Sequence, residues 1–183
     1  MLNIIKAIFW AFAYHFGQTR KNSKIPYAVH PVRVAYILWK HGIHDFDILT
    51  AAILHDVFED CNIDRYKFHK RFGSWVTCIV VDCTNRYTDG TFKKKTRHWR
   101  KWMEAKRIGG CSEHVQNIKI ADAIDNLRTI TKVDKQFAKI YCGEKSELII
   151  WCRLAEPKLL ESLNQQLLKT YGEINDAENR NIK

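Results

Sequence analysis

Apolar residues at helical spacing limit most strongly how this chain can fold. They are clearest over residues 2–18, where large apolar side chains recur at steps of about three or four: Ile4, Ile5, Ile8, Phe9, Phe12 and Phe16. That spacing predicts a helix with a buried face. The 183 residues include only three prolines and eight glycines, too few for the tight turns of an all-β sandwich. We therefore expect an all-α fold.

The same reasoning predicts further helices along the chain, over 31–41, 47–59, 64–72, 92–107, 113–131 and 145–170. Residues 75–84 are rich in β-branched side chains, which suit a strand or a buried helix, and their helical neighbours favour a helix. We expect a loop over 85–91 and frayed backbone over the last ten residues. This length suits one domain, which we assign to residues 1–172, followed by a polar C-terminal tail over 173–183.

Charge and cysteine content indicate the class of partner and the compartment. Lys and Arg number 30 against 20 Asp and Glu, a net charge of +10 that predicts an anionic partner. None of the six cysteines forms a C-x-x-C pair, so we expect reduced thiols and a cytoplasmic protein. The N-terminal apolar run is short and lacks a small-residue cleavage site, which argues against a signal peptide or a membrane span. We therefore expect no membrane partner.

A basic segment over residues 93–107 carries eight of the Lys and Arg residues and one acid. It has three possible roles: phosphate capture at the mouth of a pocket, nucleic-acid binding with Trp99 and Trp102 as stacking partners, or an amphipathic helix with inward tryptophans and solvated cations. We favour nucleic acid least. The sequence leaves the oligomeric state open.

The segment AAILHDVFED carries the strongest chemical signal, because an apolar helix there runs into four polar residues. On a helix, His55 and Glu59 would share one face, and Asp56 and Asp60 the neighbouring face. Burying these charges is costly unless a cation pairs them. Imidazole together with carboxylate suits Mn, Fe or Zn better than Ca. From this segment alone, an exposed helix end with ordinary surface charges remains the alternative.

Two other segments add residues of the same chemistry. Asp122 interrupts an apolar run in KIADAIDNLR, where it is either an ion-pair partner or a metal ligand. His30 precedes Pro31, a position where histidine commonly only packs. Taken together, the order His…His-Asp…Asp, with spacings of 25 and 66 residues, is a much stronger sign of a metal site than any member alone.

Whole stretches of the chain resemble the HD-domain metal phosphohydrolases of the RelA/SpoT type, and among them the stand-alone small alarmone hydrolases. HFGQTRKNSKIPYAVHPVRVA is similar to the family pattern H-x-x-Q-x-R-K…P-Y-x-x-H-P-x-x-V-A. LTAAILHDVFED resembles A-A-x-L-H-D-x-x-E-D, and KIADAIDNLRTI resembles K-x-A-D-x-x-x-N-x-R-T. The resemblance covers about residues 6–160 and implies a single HD-domain helical bundle with a metal site between helices.

The resemblance implies an activity and a role for each matching residue. The activity is hydrolysis of the 3′-diphosphate of guanosine tetra- and pentaphosphate with one Mn²⁺, other divalent transition metals being possible. The implied metal ligands are His30, His55, Asp56 and Asp122. Glu59 and Asp60 take the place of the pair that positions and activates the attacking water. The implied substrate-binding residues are Arg20, Lys21, Tyr27 and Asn126.

Two alternative functions stay open. The segment 85–111 matches the family poorly, which leaves room for an HD-type phosphatase acting on another phosphorylated purine or nicotinamide nucleotide. A non-catalytic, nucleic-acid-binding HD module is the second alternative. The retained Glu59–Asp60 pair argues against it, because a non-catalytic scaffold has no physical need for these clustered polar groups.

Overall fold

The secondary structure is helical over the described part of the chain. The computed structural model describes residues 2–20 and 24–180, where a single isolated bridge between Thr19 and Pro26 is the β-type pairing. The helices in this part are α1 (Leu2–Tyr14), α2 (Val29–Lys40), α3 (Phe46–Ile53), α4 (Val57–Asp60), α5 (Arg65–Cys83), α6 (Arg97–Gly109), α7 (Glu113–Val133), α8 (Lys135–Trp151) and α9 (Pro157–Arg180). The all-α prediction is confirmed.

Local sequence signals set several helix ends. The Asp45 carboxylate accepts hydrogen bonds from the backbone N–H groups of Asp47 and Ile48 at 2.8 and 3.0 Å, which caps α3. Asp64 caps α5 in the same way. Gly42 follows α2 with a φ of 90°, a conformation that glycine adopts without steric cost.

Four predicted helical segments are divided or joined differently in the structure. The helix predicted over 47–59 is broken, because the chain leaves helical geometry between Ile53 and Val57. The two segments predicted over 64–72 and 75–84 form one element, α5, which is kinked at Gly73, where φ is 83°. The helix predicted over 145–170 is two helices with a turn before Pro157, since proline is favoured in a first helical turn and disfavoured in a helix interior.

Helix α7 lies at the centre of the fold and packs against α2, α5, α6, α8 and α9. Its own apolar side chains are buried on several sides of the helix. They include Val115, Ile118, Ile120, Ala121, Ile124 and Leu127. Gln116 on the same helix donates to the carbonyls of Gly109 and Cys111 at 3.1 and 3.0 Å and accepts from the Leu154 N–H at 2.9 Å. Gln116 thereby ties the α6–α7 and α8–α9 connections to α7. Because α7 is central, several of its other polar side chains also lie in the interior.

The remaining global predictions concern the tail, the cysteines and the membrane. Helix α9 runs to Arg180, so the residues between 174 and 180 are helical rather than frayed. A separate tail over 173–183 stays a prediction. All six cysteines are free thiols. Among the described residues, no helix is both long enough and apolar enough to span a bilayer.

Candidate metal centre

Three separate parts of the chain bring imidazoles and carboxylates together in the interior. His30 lies in the first turn of α2, His55 and Asp56 in the break between α3 and α4, and Asp122 in the middle of α7. His30 Nε2 is 3.1 Å from Asp122 Oδ1 and 3.7 Å from Asp56 Oδ2. His55 Nε2 is 3.1 Å from Asp56 Oδ1 and 3.9 Å from Asp122 Oδ1. The four residues predicted as ligands therefore form one cluster.

The break after α3 corrects the expected helical arrangement of this segment. His55 and Glu59 do not lie on one continuous helix, because α3 ends at Ile53 and α4 begins at Val57. The His55 side chain is fully buried, and its Nδ1–H donates to the Ala52 carbonyl at 2.8 Å. Since that bond occupies Nδ1, the other ring nitrogen faces the carboxylates.

Asp125 orients the second imidazole, and the sequence reasoning missed it. Its Oδ2 accepts a hydrogen bond from His30 Nδ1 at 2.8 Å, which leaves His30 Nε2 facing Asp122. A carboxylate behind a histidine is the usual outer partner in metal sites, where it sets the tautomer and ring orientation. The available signal was the position of Asp125 three residues after Asp122 in the same apolar run.

Donor chemistry in the cluster fits a divalent transition metal. His55 Nε2 is buried and has no hydrogen-bond partner among the described residues, although a carboxylate oxygen lies 3.1 Å away. Burial disfavours protonated His30, but the hydrogen bonds to Asp122 and Asp125 outweigh it and raise the His30 pKa to about 9. Two imidazole nitrogens and two carboxylates in this arrangement are ligands that Mn, Fe and Zn accept.

Glu59 and Asp60 lie on α4 beside the cluster. The Glu59 carboxylate accepts from the backbone N–H and the side-chain Nδ2 of Asn85, at 2.9 and 2.7 Å, and lies 3.9 Å from Lys119 Nζ. Burial raises the pKa of Glu59, and burial together with the Asp56 charge raises the pKa of Asp60. Asn85 falls in a loop where no sequence pattern marked it.

The residues predicted to bind substrate have different surroundings. The Tyr27 hydroxyl donates to Asp56 Oδ2 at 2.7 Å, and Asn126 Nδ2 donates to Asp122 Oδ1 at 2.5 Å. Both side chains line the cleft next to the cluster. Arg20 Nη2 lies 3.8 Å from Asp125 Oδ2. Lys21 lies outside the described residues.

A cleft of about 200 Å³ opens beside this cluster, and its wall carries both acidic and basic side chains. Asp56 and Asp122 lie in its wall, and so do three lysines from different helices: Lys101 of α6, Lys119 of α7 and Lys145 of α8. Burial lowers the pKa values of Lys101 and Lys145. Burial also disfavours charged Lys119, but the neighbouring Glu59 and Asp122 charges outweigh it and raise the Lys119 pKa.

The basic segment 93–107 contributes Lys101, Glu104 and Ala105 to the wall of this cleft. Lys93, Lys94 and Lys95 are exposed in the chain before α6. Trp99 packs against Tyr87 and Phe92 with ring centroids 5.8 and 5.7 Å apart, and Trp102 packs edge-on against Trp151 at 6.0 Å. These contacts support the amphipathic-helix interpretation, because both tryptophans are engaged within the chain.

Comparison with known proteins places these features in a wider group. The family model described as HD domain matches residues 7–158. Guanosine-3′,5′-bis(diphosphate) 3′-pyrophosphohydrolase MESH1 of Xenopus tropicalis is 36% identical over 131 residues, which cover 70% of each chain. The zebrafish (Danio rerio) protein of that name is 30% identical over 173 residues, which cover 91% of this chain and 93% of the relative. A solved structure, described as a metazoan ortholog of SpoT that hydrolyses ppGpp, superposes with a TM-score of 0.80 at 25% identity and covers 92% of this chain and 96% of its own.

Proposed function

The chain belongs to the HD-domain family, and on that basis we propose that it hydrolyses the 3′-diphosphate of guanosine tetra- and pentaphosphate with the help of a divalent cation. One observation carries the proposal: Asp56 and Asp122, which contact His30 and His55 in the cluster, line the same cleft as three lysines. A nucleotide with phosphates at two positions needs both features. One phosphate group must reach the reactive centre while the remaining negative charge is neutralised.

His30, His55, Asp56 and Asp122 are the proposed ligands, and Mn²⁺ is the proposed ion. A bound divalent ion supplies a water of lowered pKa and polarises a phosphoryl oxygen. The buried Nε2 of His55 supports this assignment, because it makes no well-directed hydrogen bond although Asp56 Oδ1 lies 3.1 Å away, and a buried nitrogen left unsatisfied is penalised. The hydrogen bond from His30 to Asp125 supports it too, since it aims the imidazole at the cluster.

Glu59 and Asp60 are proposed to orient the attacking water and to accept its proton. Their raised pKa values make them stronger bases than ordinary surface carboxylates. Asn85 holds the Glu59 carboxylate by two hydrogen bonds, so that its orientation is defined before substrate binds. In the reaction, the water oxygen bonds to the phosphorus next to the sugar and the bond from that phosphorus to the 3′ oxygen breaks. The proton taken from the water is returned to the 3′ oxygen, which becomes a hydroxyl, and diphosphate is released.

Tyr27, Asn126, Arg20 and Lys21 are proposed to contact the nucleotide. Tyr27 and Asn126 lie in the cleft wall and also hold Asp56 and Asp122 by hydrogen bonds. Arg20 offers a guanidinium that can stack on a purine. Lys101 and Lys145 are proposed to neutralise the phosphates farther from the reacting group, because both residues line the cleft and come from different helices.

A substrate panel with defined metals tests the proposal. The metal-stripped protein is reloaded separately with Mn²⁺, Fe²⁺, Zn²⁺, Mg²⁺ or Ca²⁺. Each form is given guanosine tetra- and pentaphosphate, guanosine triphosphate and NADPH, and products are separated by ion exchange. We expect diphosphate release from the two alarmones, and most rapidly with Mn²⁺. Faster release of orthophosphate from NADPH would favour the alternative phosphatase activity.

Two histidine variants supply the matched comparison. His55→Ala removes a proposed ligand and should abolish both stoichiometric Mn²⁺ binding and turnover. His44→Ala changes an exposed histidine whose Nε2 is hydrogen-bonded to the Trp39 carbonyl, and it should leave both unchanged. Normal metal binding and turnover in the His55→Ala protein would show that the site is assigned to the wrong residues.

A further inference from the structure

The first 44 residues contain no acidic side chain. The first acid of the chain is Asp45, whereas six cations precede it: Lys6, Arg20, Lys21, Lys24, Arg33 and Lys40. The proposed activity uses Arg20 and Lys21 of this set. The side chains of Lys6, Lys24, Arg33 and Lys40 do not line the cleft.

Helix α1 exposes a continuous apolar stripe. Ile5, Phe9 and Phe12 on the helix and Phe16 just beyond it follow at steps of four, three and four, and they are 62%, 64%, 43% and 90% exposed. The opposite side of α1 is buried through Ala7 and Ala11. A helix that is apolar all round is normally buried all round. An apolar stripe of this composition would be expected to pack against another surface, yet these four side chains remain exposed.

Helix α2 extends this stripe into a broader surface. A groove of about 360 Å³ runs between the two helices and is lined by Ile8, Phe12, Val29, Val32, Arg33 and Tyr36. Tyr36 and Trp39 are 59% and 53% exposed, and their rings stack with centroids 6.1 Å apart. We call Ile5, Phe9, Phe12, Phe16, Tyr36 and Trp39 the α1–α2 face. Contiguous apolar surface of this kind marks an interaction site rather than scattered exposed residues.

Charge around the α1–α2 face decides between the possible occupants. Lys6 follows Ile5 on α1, Arg33 lines the groove, and Lys40 follows Trp39, while neither helix contains an acid. A second copy of the chain would bring the same cations against each other. An anionic lipid surface would not bring like charges together. Long basic side chains can place their apolar stems in the surface and reach lipid phosphates, while aromatic rings occupy the interface.

We propose that the α1–α2 face docks peripherally on an anionic lipid bilayer. The apolar side chains of α1 enter the boundary between headgroups and acyl chains, and the helix lies in the plane of the surface. Lys6, Arg33 and Lys40 pair with lipid phosphates around it. This mode needs no membrane-spanning helix, which agrees with the described helices.

Vesicle flotation of the full chain tests the proposal. The protein is mixed with vesicles of phosphatidylcholine alone or of phosphatidylcholine with about 30% phosphatidylglycerol, at low and at high salt. We expect flotation with the anionic vesicles, weakened by salt because exposed charges are screened within about 10 Å at 0.1 M. Phe9→Glu with Phe12→Glu should abolish it.

Two further variants separate the apolar and the charged contributions. Ile150→Glu with Leu168→Glu makes the same charge change at two side chains that are 55% and 65% exposed on α8 and α9, and it should float like the parent. Lys6→Gln, Arg33→Gln and Lys40→Gln together keep the apolar face and should weaken binding to anionic vesicles roughly a hundred-fold. Far-ultraviolet circular dichroism and thermal melting establish that each variant is folded, and the triple variant tests the proposal if the phenylalanine variant does not fold.

Several results would overturn the proposal. Failure of the parent to float with anionic vesicles would do so. If the parent floated equally well with neutral and anionic vesicles, and the triple variant floated like the parent, the proposed pairing with lipid phosphates would be wrong. A concentration-dependent dimer in sedimentation velocity that is lost on Phe9→Glu with Phe12→Glu, without vesicle binding, would assign the face to a second copy. Equal loss of flotation in the α8 and α9 control would show that overall charge, and not this face, is measured.

Discussion

Asp125 accepts a hydrogen bond at 2.8 Å from the ring nitrogen of His30 that points away from the cluster, and the two residues are separated by 95 positions in sequence. This contact joins the centre of α7 to the first turn of α2. It also leaves His30 Nε2 directed at Asp122. The proposed metal centre thus depends on a residue that is not itself proposed as a ligand.

Asp125→Asn should therefore weaken metal binding without removing a ligand. Outer partners of this kind typically contribute about 10- to 100-fold to metal affinity, and we expect a loss of that size for Mn²⁺. Isothermal titration with Mn²⁺ measures it directly. Asp82→Asn, at an exposed carboxylate on α5, should leave the affinity unchanged. Parent-like affinity in Asp125→Asn would contradict the positioning role.

Glu59→Gln combined with Asp60→Asn should separate metal binding from turnover. Neither side chain is a proposed ligand, so the double variant should retain most of its Mn²⁺ affinity. Turnover should fall roughly 10²-fold or more, which is the usual effect of losing acid–base assistance. Single-turnover kinetics at saturating metal measure the fall. Asp47→Asn combined with Glu161→Gln, at a half-buried and an exposed position outside the cleft wall, serves as the control. Unchanged turnover in the Glu59 and Asp60 variant would exclude these residues from the reaction.

Lys101→Gln and Lys145→Gln should each raise KM more than they lower kcat. Binding that is equal in the ground and transition states changes KM, whereas binding confined to the transition state changes kcat. We expect about a tenfold rise, the scale of one hydrogen bond to a charged group. Lys93→Gln, Lys94→Gln and Lys95→Gln together should leave KM unchanged, since these side chains lie outside the cleft wall.

The same lysine variants distinguish the roles considered for the basic segment 93–107. If Lys93–Lys95 gathered phosphates, their triple variant would raise KM. If the segment bound nucleic acid, the parent would shift a labelled duplex or single strand in a gel, with an affinity that falls steeply as salt is added. Neither effect is expected from an amphipathic helix whose tryptophans pack within the chain.

Glu104 should stabilise the fold in a pH-dependent manner. Its carboxylate is paired with Arg107 and accepts hydrogen bonds from the N–H groups of Arg86 and Tyr87 at 3.0 and 3.2 Å. Burial disfavours the charged form, but the Arg107 pairing and the two backbone donors outweigh it and lower the Glu104 pKa. Because the folded-state pKa lies below the unfolded value of about 4.3, this stabilisation is present above that pH and is lost as the pH falls through the lower folded value.

Glu104→Gln should accordingly lower the free energy of unfolding at pH 7 by about 2 kcal/mol, the scale of hydrogen bonds to a charged group. The difference between parent and variant should shrink as the pH is lowered below about 4. Urea denaturation at a series of pH values measures it. Glu161→Gln, at an exposed position on α9, is the control. A constant difference at all pH values would contradict the assigned cause.

Sequence alone predicted the helical class and the four residues that the structure brings together in one cluster. These follow from local patterns: the spacing of apolar residues, and polar side chains such as His55 and Asp122 in runs where burial would be costly. The tertiary structure decided what those patterns leave open. Four features were not predicted. They are the break between Ile53 and Val57, the hydrogen bond of His30 to Asp125, the hydrogen bonds of Asn85 to Glu59, and the presence of Lys101 and Lys145 in one cleft wall. Each of these features depends on which helix faces pack together. That packing minimises a free energy summed over residues that are far apart in sequence, and a local sequence pattern does not contain this information.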